Sequence, residues 1–122
     1  MKWQFSSDAP IYAQLIAQIQ TTIVSGTWPP GDRLPSVRDL AAEAGVNPNT
    51  MQRAMTELER QGLVYSQRTA GRFVTEDRER IEQARHTCAQ RQIQTFLEGM
   101  EQLGYTPEEI RLLVEQETKG ES

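Results

Sequence analysis

Pro30-Gly31-Asp32-Arg33-Leu34-Pro35-Ser36-Val37-Arg38-Asp39-Leu40-Ala41, then Gly45-Val46-Asn47-Pro48-Asn49-Thr50, then Gly62-Leu63-Val64 and Gly71-Arg72-Phe73-Val74 form a run of start and stop signals that decides the fold. Ser36 reads as a helix N-cap, its hydroxyl accepting from a backbone N–H of the first turn. Asp39, three residues on, completes a capping-box pattern. The helix so begun offers Val37, Leu40, Ala41 and Ala44 to a core, and Gly45 ends it. Asn47-Pro48 restarts at once: a capping side chain, then a proline whose missing N–H is no loss in a first turn. This second helix runs to about Gln61, with Gly62 as its stop. Only about three residues, Gly45 to Asn47, separate the two helices, the spacing of a helix-turn-helix corner. Leu63-Val64-Tyr65-Ser66 and Arg72-Phe73-Val74-Thr75 follow as two short β-prone runs around Gln67–Gly71, a hairpin or wing.

Upstream, Pro10 opens an amphipathic pattern in which Ile11, Tyr12, Leu15, Ile16, Ile19 and Ile23 recur at spacings of three and four. Gly26 closes it, and Trp28-Pro29-Pro30-Gly31 cannot continue a helix. Downstream, Ile81, Ala84, Cys88, Ile93, Phe96, Leu97, Met100 and Leu103 make an apolar stripe on a helix of roughly 25 residues. Gly104 stops it. Thr106-Pro107-Glu108-Glu109 then supplies cap, proline and capping-box glutamate to a last helix with Ile110, Leu113 and Val114 on its apolar face. The expected fold is mainly α with a small β-hairpin: a winged helix-turn-helix over residues 1–75, followed over 76–122 by a two-helix C-terminal segment.

Composition narrows the function classes. The 122 residues are 37% apolar and 25% charged, ordinary for a folded protein. There is no membrane-length apolar run and no signal-peptide pattern, and lone Cys88 permits no internal disulfide, so a cytoplasmic protein is expected. Net charge is −4, unevenly placed: residues 1–75 carry seven Lys/Arg against six acids, whereas 76–122 carry six against eleven. Such asymmetry points modestly to nucleic acid as the partner of the first part. His86 and Cys88, the soft metal-ligand types, diverge by about 200° on a helix and do not share a metal. No paired carboxylates, nucleophile–base set or phosphate-cradling glycine loop is present, so neither an enzyme nor a cofactor is expected.

The second helix of the corner carries the candidate site. With Met51 set at zero, Met51, Ala54, Met55 and Leu58 cluster as a core face. Thr56, Asn49, Arg60 and Arg53 fall opposite, at about 140°, 160°, 180° and 200°. Arginine can grip guanine O6 and N7 with two hydrogen bonds, and Asn or Gln can do the same on adenine. Arg53, Asn49 and Gln52 are therefore the candidates for reading bases, and Thr50 and Arg38 for holding phosphates. Arg60, two turns further on, suits a surface role. Arg68 and Arg72 flank the wing turn, where a basic tip reaches phosphates or the minor groove, or is simply solvated.

These residues together resemble the GntR-type bacterial transcription regulators, and among them the short YtrA-like group. The likeness runs from Pro10-Ile11-Tyr12 through Pro30–Ser36 and Gly45–Thr50 to Gly71-Arg72-Phe73-Val74. Leu103-Gly104-Tyr105-Thr106 and Glu109-Ile110 look like that subgroup's dimerisation segment. The resemblance implies a homodimeric repressor of a palindromic operator in double-stranded DNA, often beside genes for ABC transporters. It places Arg38 against the DNA, Asn47, Pro48, Asn49, Thr50, Gln52 and Arg53 on the recognition helix, and Gly71 at the wing. The family commonly has Gly-x-Gly-x-Phe-Val at the wing; Thr69 here replaces the first glycine. Threonine disfavours positive φ, so a different wing turn is expected.

A single winged helix reads few base pairs, and a twofold pair reads half-sites about 34 Å apart. The tail is the expected joint, with Phe96, Leu97, Met100, Leu113 and Val114 burying one another across an isologous contact. Packing back onto the first helix is the competing use of these side chains. Two helices cannot enclose a ligand pocket of the usual ~300 Å³ or more, so no effector is identified. Two other functions remain open: a winged-helix module that docks on protein rather than DNA, and, with no site residues to support it, a ligand-binding or enzymatic regulator.

Overall fold

The computed structural model describes residues 1–120. Its elements are α1 (Ile11–Val24), α2 (Val37–Ala44), α3 (Pro48–Arg60), β1 (Val64–Gln67), β2 (Gly71–Val74), α4 (Arg78–Gln102) and α5 (Pro107–Lys119). They fall into two compact units, Met1–Arg85 and the residues from His86 onward. The first turns of α4, beyond residue 75, thus belong with the winged helix-turn-helix.

In the first unit the apolar spacing of each helix converges on one core. Leu15, Ile19 and Ile23 of α1, Leu40 and Ala41 of α2, and Met51, Ala54, Met55 and Leu58 of α3 meet Leu63, Val64 and Val74; each is at most 2% exposed. Tyr12, Ile16, Trp28, Ile81 and Ala84 pack around this centre half-buried. Burying nine such large side chains at about 1.5–3 kcal/mol each is what holds three short helices together, since helices of this length are marginal alone.

The hairpin is antiparallel, with Val64 opposite Val74, Tyr65 opposite Phe73, Ser66 opposite Arg72 and Gln67 opposite Gly71. Its strands sit one position from the predicted runs. The rings of Tyr65 and Phe73 stack at 5.6 Å, a cross-strand pair of the kind that stabilises a small sheet. The Ala70 N–H donates to the Gln67 carbonyl at 3.1 Å, closing the turn. Positive φ falls on Gly71 (101°), and no non-glycine residue has it among those described. Thr69 therefore keeps ordinary backbone, and the single glycine meets the turn's demand.

One feature was hidden from the sequence. The Pro/Gly-rich connection after α1 lies along β2: Gly31 N–H donates to Val74 O (2.9 Å), Val74 N–H to Asp32 O (2.9 Å) and Leu34 N–H to Arg72 O (2.8 Å). An isolated bridge pairs Arg33 with Phe73. This strip serves as a third edge to the wing and brings Arg33 beside it.

The second unit is built differently. Gly104 (φ 96°) ends α4, and α5 begins with a complete capping box: Thr106 Oγ1 accepts from Glu109 N–H, and Glu109 Oε1 from Thr106 N–H. Ile110 is its one buried side chain among the described residues. Ile93 is 56% exposed, Leu112 59% and Leu103 72%. No described helix is long and apolar enough to cross a membrane.

Candidate nucleic-acid interface

The corner is fixed by its caps. Ser36 Oγ accepts from Asp39 N–H at 3.1 Å, and Asn47 Oδ1 accepts from Asn49 N–H at 2.7 Å. Between them Gly45 takes a left-handed φ of 71°, and Val46 N–H returns to the Ala41 carbonyl at 3.0 Å. These bonds satisfy donors and acceptors that helix ends otherwise leave open, and they set where α3 starts relative to α2.

With its core face at 0% exposure, α3 turns the opposite face outward: Asn47, Pro48, Asn49, Gln52, Arg53 and Thr56 are all exposed, and Thr50 is half-buried. Gln52 Nε2 reaches Thr56 Oγ1 at 3.3 Å, while the Thr56 hydroxyl donates to the Gln52 carbonyl at 3.0 Å. The Arg53 guanidinium carbon sits 4.5 Å from the centre of the Tyr12 ring on α1. Arg60 is engaged along its own helix, donating to both carboxylate oxygens of Glu57 at 2.7 and 3.1 Å from Nε. That hydrogen bonding, helped by Gln61, holds the half-buried Glu57 carboxyl down at about 2 and raises the exposed Arg60 guanidinium above its ordinary value.

Arg38 is exposed on α2 and Arg68 is exposed at the wing tip. Arg72, expected beside Arg68 at the tip, is half-buried. Its Nε lies 3.1 Å from Glu59 Oε1 near the end of α3, and the same carboxylate accepts from the Ser66 hydroxyl. The two wing arginines thus part company: Arg68 faces solvent, while Arg72 ties the wing to α3. A Cβ on Gly71 would meet Arg33 Nε only at ordinary contact distance, 3.4 Å, so its φ of 101° is what calls for glycine there.

Arg33, Tyr12 and Glu59 are residues that the sequence alone does not place here. Arg33 reaches the wing only because its segment pairs with β2, a non-local event with no periodic trace. Tyr12 belongs to the apolar stripe of α1, and nothing in that spacing says that its ring meets an arginine of α3. No group of three or more His, Cys, Asp or Glu is arranged to hold a metal among the described residues. The exposed groups of this surface are hydrogen-bonding amides, hydroxyls and guanidiniums.

A capped pair of helices, an outward polar face and a wing tied to it by Glu59 define a winged helix-turn-helix regulator. Comparison with known proteins agrees: residues 11–74 match the model of the bacterial regulatory proteins of the gntR family, and the chain belongs to that family. It is 38% identical over 117 residues to the uncharacterised HTH-type transcriptional regulator YhcF of Bacillus subtilis strain 168, covering 96% of this chain and 97% of that one. Over 71 residues it is 44% identical to the HTH-type transcriptional repressor YtrA of the same organism, covering 58% and 55% of the two chains. Among solved structures, a GntR family transcriptional regulator from Listeria monocytogenes superposes with a TM-score of 0.83 at 42% identity, covering 92% of this chain and 98% of that one. The DNA-binding domain of AraR, solved in complex with operator ORX1, matches 62% of this chain and 96% of its own at 30% identity and a TM-score of 0.56. These relatives are regulators, not enzymes.

Proposed function

We propose that this chain is a sequence-specific DNA-binding transcriptional repressor, acting in the cytoplasm as a homodimer on a palindromic operator. The observation that carries the reading is the outer face of α3, where Asn49, Arg53 and Thr56 stand exposed opposite a fully buried face, with Gln52 exposed on its flank. Arg53, Asn49 and Gln52 read base edges, Thr50 and Arg38 hold phosphates, and Asn47 and Pro48 start the helix at the groove. At the wing, Arg68 and Gly71 approach the backbone or minor groove, and Arg72 acts through its bond to Glu59. The operator-bound AraR domain supports the choice of DNA over a protein partner.

Phe96, Leu97, Met100, Leu113 and Val114 supply the dimer contact. Phe96, Met100, Leu113 and Val114 line one groove of the second unit. These side chains are already partly covered within one chain, Phe96 at 44% and Val114 at 40% exposure, so burying the remainder of five from each subunit gives on the order of 10 kcal/mol, comparable with association costs of about 4–15 kcal/mol. The resemblance to the YtrA-like group makes an ABC-transporter operon the expected target.

Selection of bound duplexes from random DNA tests the whole reading. The expected product is a palindrome with half-sites about one helical turn apart, whose affinity falls by about a thousandfold or more between 50 and 200 mM salt. Enrichment of no sequence, or affinity indifferent to salt, overturns it.

A further inference from the structure

We infer that Tyr12, on α1 and outside the helix-turn-helix, is a positioning residue that presents Arg53 to DNA; this rests on the reading of α3 as the recognition helix. The guanidinium carbon of Arg53 lies 4.5 Å above the Tyr12 ring, inside the range of a cation–π contact. Tyr12 is itself half-buried and packed against the core, so the ring is held by α1. Arg53 is exposed, and its guanidinium carbon stands over the Tyr12 ring. An aromatic ring engages few of the five N–H donors of a guanidinium, and those directed away from it stay free to pair with guanine or phosphate.

The surroundings sharpen the assignment. Tyr12, Gln52, Arg53, Thr56, Glu57 and Arg60 line one shallow surface groove between α1 and α3. Glu57, the carboxylate in that groove, is bound by Arg60 and Gln61, with no ion pair to Arg53. Arg53 is thereby oriented by a neutral ring rather than by a carboxylate. An acidic partner would have cancelled its charge and competed with DNA for the same N–H donors. The aromatic face restricts a long, rotamer-rich side chain and leaves its charge intact, which lowers the entropic cost of ordering it on an operator.

The test is a double-mutant cycle on the selected operator, with Tyr12→Leu, Tyr12→Phe and Arg53→Gln, each variant held below its own melting temperature. Tyr12→Phe keeps the ring and is expected to bind as the parent does. Tyr12→Leu keeps apolar packing but removes the π face, and is expected to bind about fivefold more weakly with a flatter base preference at the Arg53 position. In the Arg53→Gln background the Tyr12→Leu penalty is expected to shrink below about twofold. A general structural role for Tyr12 would give the same penalty in both backgrounds, which overturns the inference. So does a Tyr12→Phe penalty as large as that of Tyr12→Leu, because the hydroxyl would then be the working group. If the parent enriches no DNA sequence, the repressor reading fails and this inference with it. If the parent binds its operator but the cycle shows no coupling, this inference alone fails.

Discussion

The two units of this chain spend their apolar residues in opposite ways. In Met1–Arg85 the large side chains of three helices and a hairpin are sealed into one core, with Leu15, Ile19, Met51, Met55, Leu58 and Val74 at 0% exposure. From His86 onward Ile110 is buried, while Ile93, Phe96, Leu103, Leu112 and Val114 are between 40 and 72% exposed. Lone apolar residues on a surface need no explanation, but several on two helices of a small unit do. The contrast teaches that foldedness is complete within the first unit, whereas the second has capped helices with much apolar surface still open to water. Under the homodimer proposed above, a second copy covers that surface.

The sharpest way to break the comparison is to put a charge on the groove of the second unit. Met100→Glu places a carboxylate in each half of the proposed seam, and burying them costs on the order of 5 kcal/mol per dimer. Sedimentation is expected to show monomers at concentrations where the parent is dimeric, with unchanged helical content. Leu97→Glu should behave alike. A mass identical to that of the parent removes the tail from the dimer model.

Leu58→Ala asks the opposite question of the first unit. Leu58 is 0% exposed at the heart of the core, and its truncation is expected to cost about 2–5 kcal/mol, seen as an earlier thermal transition. Phe96→Ala in the second unit, from a site 44% exposed, is expected to shift dimerisation while leaving that transition within about 0.5 kcal/mol when measured on monomers. Equal losses from both truncations would mean that the two units do not differ in the way their exposure implies.

How much of this was legible beforehand divides along the same line. Caps and spacing gave every helix of the first unit, because Ser36, Asn47, Gly45 and Gly62 act through local backbone geometry that a sequence displays. The outward face of α3 followed from the 100° rotation alone. What escaped were pairings between distant segments. Arg33 reaches the wing through a β-bridge to Phe73, Arg72 turns inward to Glu59, and Arg53 lies on Tyr12. Each depends on how α1, α3 and the wing pack together, and no local period encodes that. In the second unit the helices were equally readable, but whether their stripe turns inward or toward another chain is a property of packing.

Arg53→Ala moves to the function that the first unit's completeness permits. The proposed loss is about 1–3 kcal/mol at one operator position, with relaxed preference there and little change at the others. Binding to cognate and scrambled duplexes by the variant should converge. If it binds both as the parent does, Arg53 is not a reading residue and the outer face of α3 keeps only Asn49 and Gln52 in that role.

The smallest effect concerns charge on that same helix. Glu57 is half-buried, and the Arg60 guanidinium, and next the Gln61 amide, hold its carboxyl at about 2, below its ordinary value of 4.5. Because the folded value is the lower one, the contribution is fully present above about 4.5 and disappears as pH falls toward about 2. Glu57→Gln is therefore expected to flatten the acid limb of the first unit's stability profile slightly between those values, and to lower neutral-pH stability by the same small amount, since an ion pair to an exposed guanidinium contributes little. Arg60→Gln should flatten the same limb, since the carboxyl would return to its ordinary range. An acid limb unaltered in both variants would show that the pair is not formed in solution, and Arg60 would then be free to join Arg53 on the outer face of α3.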